Sequence, residues 1–287
     1  MTDSGTQDHR LHALLPGMAH YFDPPGECIY CGSRDGPLGN EHIVPYGLGG
    51  SHVIRKASCE TCAKVTSSVE GRLLRGFLLE ARGAGNFPTR RPRQRPSRTT
   101  AQLLDSTGQV HEREVDVATA PGFVVLPTLQ RASFLEGRPP TTGYNVIGSE
   151  LVSFGTDPRF FVNSQGMQGQ RAQSIVPVGD LARLVAKAAY SYAVATMGLF
   201  PREETPLLDI LFGVEPNGGR WIGSRTYTLA MEKEGSIAYG LATYGIEASE
   251  GRSGVVALVK LFASSGATGF EALVRLPGWR SVRTVTS

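Results

Sequence analysis

The sequence predicts an α+β chain, in which a small hairpin-and-helix unit precedes a larger mixed α/β domain with an antiparallel sheet. Three observations predict it. All four cysteines fall in one window, as two C-x2-C pairs, Cys28/Cys31 and Cys59/Cys62. An apolar residue recurs every fourth position directly after the second pair. Short apolar runs separated by polar, Gly-rich turns fill the last quarter of the chain. With 287 residues, 40% apolar and 19% charged, the chain has the composition of a soluble globular protein and the length for two domains. No run of eighteen apolar residues occurs, which excludes a helical membrane span. The N-terminal stretch is polar and acidic and lacks a basic segment followed by a long apolar core, so the reading places the chain in the cytoplasm.

Two residues between paired thiols let both sulfurs reach one ion through a tight turn, and two such turns complete a tetrahedral shell. In a reducing compartment disulfides are disfavoured, so Cys28, Cys31, Cys59 and Cys62 are expected to hold a structural Zn2+. A redox pair or unrelated buried thiols are the alternatives. A four-thiolate shell is closed, so this ion would hold the fold and perform no chemistry.

Between the pairs, Asn40–Val44 reads as a strand ending at Pro45, Tyr46–Ser51 as a Gly-rich turn, and His52–Ile54 as a second strand. Cys59–Cys62 opens a helix whose stripe is Val65, Val69, Leu73 and Phe77, widened by Leu74, Leu78 and Ala81, with Gly83 and Gly85 as its stop. Glu41 and His42 sit at the end of the first strand. Adjacent strand residues point to opposite faces, so a twist or bulge near Pro45 is required if both are to serve one site.

The order "CIYCG", "EHIVP", the "LGG" loop and "SCETC" resembles the HNH endonucleases, the zinc-stapled ββα-metal type, over about residues 27–82. The resemblance implies Glu41 as a ligand to a catalytic divalent ion, Mg2+ or another, and His42 as the general base in hydrolysis of DNA phosphodiesters. An imidazole deprotonates water near neutral pH, and a cation stabilises charge on the phosphate and the leaving oxygen. The family's second ligand, Asn or His after the last cysteine, is here Ala63, which binds no metal. Ser67 and Glu70 lie four and seven residues further on the same helix face, and Glu70 offers a hard oxygen donor. The bland alternative pairs Glu70 with Arg72 or Lys64. His52 falls near the family's middle polar position, where it would support His42 or the ion. His9, His12, His20 and His111 read as surface residues.

Net charge is only +3, yet residues 64–98 hold nine Lys/Arg against two Glu. Arg72, Arg75 and Arg82 belong to the helix, while Arg90, Arg91, Arg93 and Arg95 run through a Pro-rich segment that stays extended. Guanidiniums so arranged track a phosphate backbone, and double-stranded DNA is the expected partner. No aromatic residue interleaves with them, which gives no help to a base-stacking reading.

The expected organisation is therefore an HNH-like domain at 1–87, a basic linker at 88–100, and an α+β domain at 101–287 that recognises a target or partner. In the last, Gln109–Val117 and Gly122–Leu126 read as strands and Asp180–Gly198 as a helix. Trp221–Met231, Ile237–Ala242 and Gly254–Ala263 read as an antiparallel meander. The competing functional readings are a zinc module that binds nucleic acid without cutting it, and a zinc-stapled protein-interaction domain.

Overall fold

A computed structural model describes residues 19–172, 174–226, 239–247 and 253–279. The hairpin is present: β2 (Gly39–His42) runs antiparallel to β3 (His52–Ser58), and β1 (His20–Phe22) adds in parallel on the other side of β3. Proline cannot donate to the ladder, and Pro45 leads from β2 into a 3-10 turn at Tyr46–Leu48. Gly49, at φ +81°, reverses the chain into Gly50. Gly50 passes so close to the preceding segment that a Cβ there would lie 1.8 Å from the Val44 carbonyl oxygen. Backbone cannot yield as a side chain can, so Gly50→Ala is expected to cost at least about 1–3 kcal/mol. A urea midpoint unchanged from wild type would contradict this.

The hairpin's irregularity lies between Gly39 and Glu41, before the Glu-His pair and not beside Pro45. Opposite it, Lys56 adopts φ +45°, and its N–H donates to Asn40 Oδ1 at 3.1 Å. The Asn40 amide thus replaces a ladder bond that the bulge removes.

The helix after the second cysteine pair is shorter than its apolar stripe implies. α1 (Glu60–Arg75) stops at Gly76, whose φ −113°, ψ −103° is not helical, and the chain resumes as α2 (Leu79–Ala84) with Gly85 after it. The Arg82 side chain closes the break by donating from Nη1 to the Leu74 carbonyl at 2.7 Å, one of the α1 carbonyls left over at a helix end.

Beyond the basic segment, β4 (Arg98–Leu104) lies between β5 (Val110–Asp116) and β8 (Gly169–Arg171). β6 (Pro121–Leu129) pairs with β7 (Val146–Gly155), and α3 (Pro158–Ser164) follows. α4 (Val178–Met197) and α5 (Pro206–Phe212) pack on an antiparallel sheet of β9 (Ile222–Arg225), β10 (Tyr239–Glu247), β11 (Ser253–Leu261) and β12 (Gly269–Arg275). The strand order is β10-β11-β12-β9, so β9 joins the far edge through β12 and the consecutive meander is β10 to β12. The second half of the expected Trp221–Met231 strand, and the start of Ile237–Ala242, lie outside the described residues, as do His9 and His12.

α4 decides how the site is held. It is buried nearly all round from Leu181 to Val194, as befits a helix with protein on several sides. One face packs on α1, another on β11 and β12. A single apolar cluster therefore runs from Ile43, Ile54, Val69 and Leu73 through Val185 and Ala189 to Val256 and Leu273. Fully burying a side chain such as Leu73 or Val185 contributes about 1.5–3 kcal/mol. Among the described residues no helix is long and apolar enough to cross a membrane.

Candidate functional site

The two cysteine pairs converge. The Sγ atoms of Cys28, Cys31, Cys59 and Cys62 all lie within 4.8 Å of one another, with Cys31 and Cys59 at 3.6 Å. Four sulfurs at about 2.3 Å from one tetrahedral ion would stand about 3.8 Å apart. Gly32, at φ +79°, makes the first turn, its N–H donating to the Cys28 carbonyl at 2.8 Å. Cys59 precedes α1 and Cys62 lies in its first turn. A hydrogen bond from the Cys62 thiol pulls Cys28 down to about 4, helped by the backbone of Cys59, Cys31 and Tyr30, while Cys62 is pushed far up. Close thiols without a cation divide in this way, because the first to ionise suppresses the next. A bound cation lets all four ionise. Donor type, spacing and charge fit a metal such as zinc. From 175 residues further along the chain, Arg202 reinforces the turn, donating to Glu27 Oε1 at 2.9 Å and to the Cys28 carbonyl at 3.0 Å.

The Glu-His pair divides between inside and outside. Glu41 is buried, and its carboxylate meets Lys187 Nζ of α4 at 2.8 Å. Glu70, about one and a half turns before the end of α1, meets the same ammonium at 2.7 Å. The His42 carbonyl accepts its remaining donor. An ammonium has three N–H groups, and here all three are engaged. Burial works against the charge on Lys187, which is 1% exposed, but Glu41 and Glu70 outweigh it and raise its pKa above the ordinary value. For Glu41 burial dominates and pushes the carboxyl up, with Lys187 opposing. Glu70 therefore pairs with neither Arg72 nor Lys64; Lys64 joins Glu60 at 2.7 Å.

Glu41 and Glu70 are thus brought together around one point, as two ligands of a single ion would be, but a side-chain cation stands at that point. In this arrangement the pair does not fit a divalent ion. Ala63 has no donor to add, and Ser67 is exposed on α1.

The His42 imidazole is half-buried, edge-on to the Tyr46 ring with centroids 6.0 Å apart. Arg90 brings Nη2 to 3.4 Å from His42 Nε2, and its guanidinium lies over the Tyr46 ring at 5.7 Å. Burial, then Lys187 and Arg90, hold the imidazole below its ordinary pKa, against the Gly50 backbone and Glu70. At neutral pH the ring is therefore uncharged and carries a basic lone pair.

His52 is buried and lies elsewhere: its Nδ1 is 2.7 Å from the Tyr239 hydroxyl, its ring stacks on Phe22, and it ties β3 to β10. His20 lies exposed on β1, and His111 pairs with Asp105 at 2.7 Å.

The arginines divide as well. Arg72 grips Asp180 of α4 with two bonds of 2.7 and 2.6 Å and Ser68 with a third. Arg82 is committed to the backbone of Gly47, Leu74 and Pro88, and Arg95 to Asn86 and the Phe87 carbonyl. Arg75, Arg90, Arg91 and Arg93 are exposed. The basic surface near His42 is thus narrower than the charge count implies.

Sequence reasoning missed Lys187, Asp180, Arg202 and Tyr239. Lys187 did leave a signal, as the one charged residue between Leu184 and Val194 of an otherwise apolar helix. Comparison with protein families, curated proteins and solved structures gives no match.

Proposed function

We propose that the chain is an HNH-type endonuclease that hydrolyses phosphodiester bonds in nucleic acid, with double-stranded DNA as the simplest substrate. The observation that carries this reading is the pairing of an uncharged, half-buried His42 with the exposed Arg90 guanidinium at the tip of a cysteine-stapled hairpin. A phosphate oxygen is a stronger acceptor for Arg90 than an imidazole nitrogen. Phosphate arrival draws Arg90 off Nε2 and frees that lone pair to take a proton from water. The hydroxide attacks phosphorus, the bond to the leaving oxygen breaks, and the imidazolium returns its proton to that oxygen. Arg91 and Arg93 extend the contact along the backbone, which makes binding salt-dependent and largely indifferent to sequence. The four cysteines would hold zinc, which would staple the hairpin against α1. No step is assigned to a second, divalent ion, because Glu41 and Glu70 are engaged by Lys187.

A second reading, a zinc-stapled nucleic-acid binder that does not cut, is favoured by that same engagement. Plasmid nicking separates the two. Wild type is expected to nick supercoiled DNA, and His42→Ala to lose about 10²–10⁴-fold of that rate while still binding DNA. Because burial holds the His42 pKa below its ordinary value, the rate is expected to be flat from neutral pH upward and to fall only as the imidazole protonates on the acid side. Equal cleavage by His42→Ala would remove His42 as the base, and binding without cleavage by wild type would leave the second reading.

A further inference from the structure

The geometry points to Lys187 as the resident cation of this centre. Its ammonium occupies the position between Glu41 and Glu70 that a divalent ion would take, so the centre holds no divalent ion while Lys187 is in place. Three observations carry this. The two carboxylates come from separate elements, β2 and α1, yet meet one nitrogen at 2.8 and 2.7 Å. That nitrogen comes from a third element, α4, and its residue, Lys187, is buried, so the ammonium is held by protein groups while only Glu70 reaches partly to solvent. Its third donor goes to the main-chain carbonyl of His42, a hard oxygen of the kind that would complete an oxygen shell around Mg2+ or Mn2+. Two carboxylates and a carbonyl around one point are a hard-cation donor set, and the chain supplies the cation itself.

Ala63 is consistent with this. An ammonium has three donors, and Glu41, Glu70 and the His42 carbonyl satisfy them all. A fourth ligand from the start of α1 would have nothing to bind. Lys187 also fixes the main chain at His42 without touching the imidazole contact to Arg90. It is therefore a positioning residue. The nuclease reading serves only to locate the centre, and the cation assignment is tested by metal binding, without substrate.

The experiment uses full-length, zinc-loaded protein and Mn2+ alone as the probe. Zinc outcompetes manganese at thiolates, so the cysteine site stays silent. Mn2+ binding is read by electron paramagnetic resonance, and its location by paramagnetic broadening of the His42 imidazole resonance. Wild type is expected to bind no Mn2+ near His42 and to show no Mn2+-dependent change in Tm. Lys187→Ala and the longer neutral Lys187→Gln, which empty the central point, are expected to gain one Mn2+ beside His42. Their Tm should rise with Mn2+ concentration, as a ligand binding only the folded state requires. Adding Glu70→Gln to either variant should abolish the gain. Wild-type Mn2+ binding that broadens His42 and is lost in Glu41→Gln overturns the assignment. So do folded Lys187 variants that acquire no Mn2+. If both variants fail to fold, the wild-type measurement decides alone. Cleavage is a separate readout: wild type that binds no Mn2+ and cuts no DNA keeps the cation assignment and sinks the nuclease reading.

Discussion

Cys62→Ser protein is expected to lose its zinc and, with it, the folded hairpin and α1. The four sulfurs lie within 4.8 Å of one another, and the unit they staple has three short strands and two helices around a small share of the core. Structural zinc contributes apparent free energies of about 10–16 kcal/mol in small zinc-dependent folds. That exceeds what the local packing of Ile43, Val44, Ile54 and Leu73 can replace once the Cys62 sulfur is gone. Because the apolar cluster continues into α4, the loss should spread beyond the hairpin and lower the whole cooperative transition. The check is metal analysis with circular dichroism of wild type and variant. Wild type should carry one zinc per chain, and a thiophilic chelator should reproduce the variant's loss of ellipticity. A metal-free wild type with unchanged Tm would remove zinc from the account.

Lys187→Met is expected to destabilise the protein by about 3–5 kcal/mol in buffer without added divalent ions. Removing one partner of a buried ionic network leaves the other charges buried and uncompensated. Here two carboxylates would face each other with no cation between them. The loss should depend on pH in a definite direction. Burial already raises the Glu41 carboxyl, and Glu70 pushes the same way. Without Lys187 the opposing influence is gone, so the folded-state pKa rises further above the unfolded value. A group raised in the folded state adds stability below its unfolded pKa and loses it as pH climbs through its folded pKa. Lys187→Met should therefore approach wild type near pH 4 and fall behind it toward neutrality. Combining Lys187→Met with Glu41→Gln and Glu70→Gln should recover much of the neutral-pH loss. Urea unfolding across pH measures all of this. A pH-independent cost would mean that lost packing, not orphaned charge, is responsible.

The hairpin, the cysteine cluster and α4 were legible in the sequence because each is set by local spacing: C-x2-C for the turns, Pro45 for the turn that follows β2 (which itself ends at His42), apolar periodicity for the helices. Short-range patterns fail where a side chain finds its partner from far along the chain. The sequence offers Glu70 as an ion ligand, with Lys64 and Arg72 as the alternative partners on its own helix, but the cation it meets is on α4. Arg72 was counted toward a nucleic-acid surface, yet Asp180 holds it with two bonds. The hairpin position of His52 points toward His42, while Tyr239 of β10, in another sheet, fixes its ring. The break at Gly76 was hidden because the apolar stripe continues across it through Phe77 and Leu78. β12 went unseen because a fully buried strand has no alternation to reveal it.

The bond from Lys187 to the His42 carbonyl spans 145 residues, and this separation sets an order of events. On a ribosome the cysteines, the hairpin and α1 all emerge well before α4 exists. During that interval Glu41 and Glu70 lack their counter-charge, and the apolar face of α1 has no helix to cover it. All four thiols are present before α4 is made, but the centre around His42 is completed only when α4 docks. Contacts so distant in sequence form late and slowly, because the loop between them must close before they contribute. The nascent chain thus carries an unfinished hairpin until α4 has been made, and the centre around His42 is assembled last.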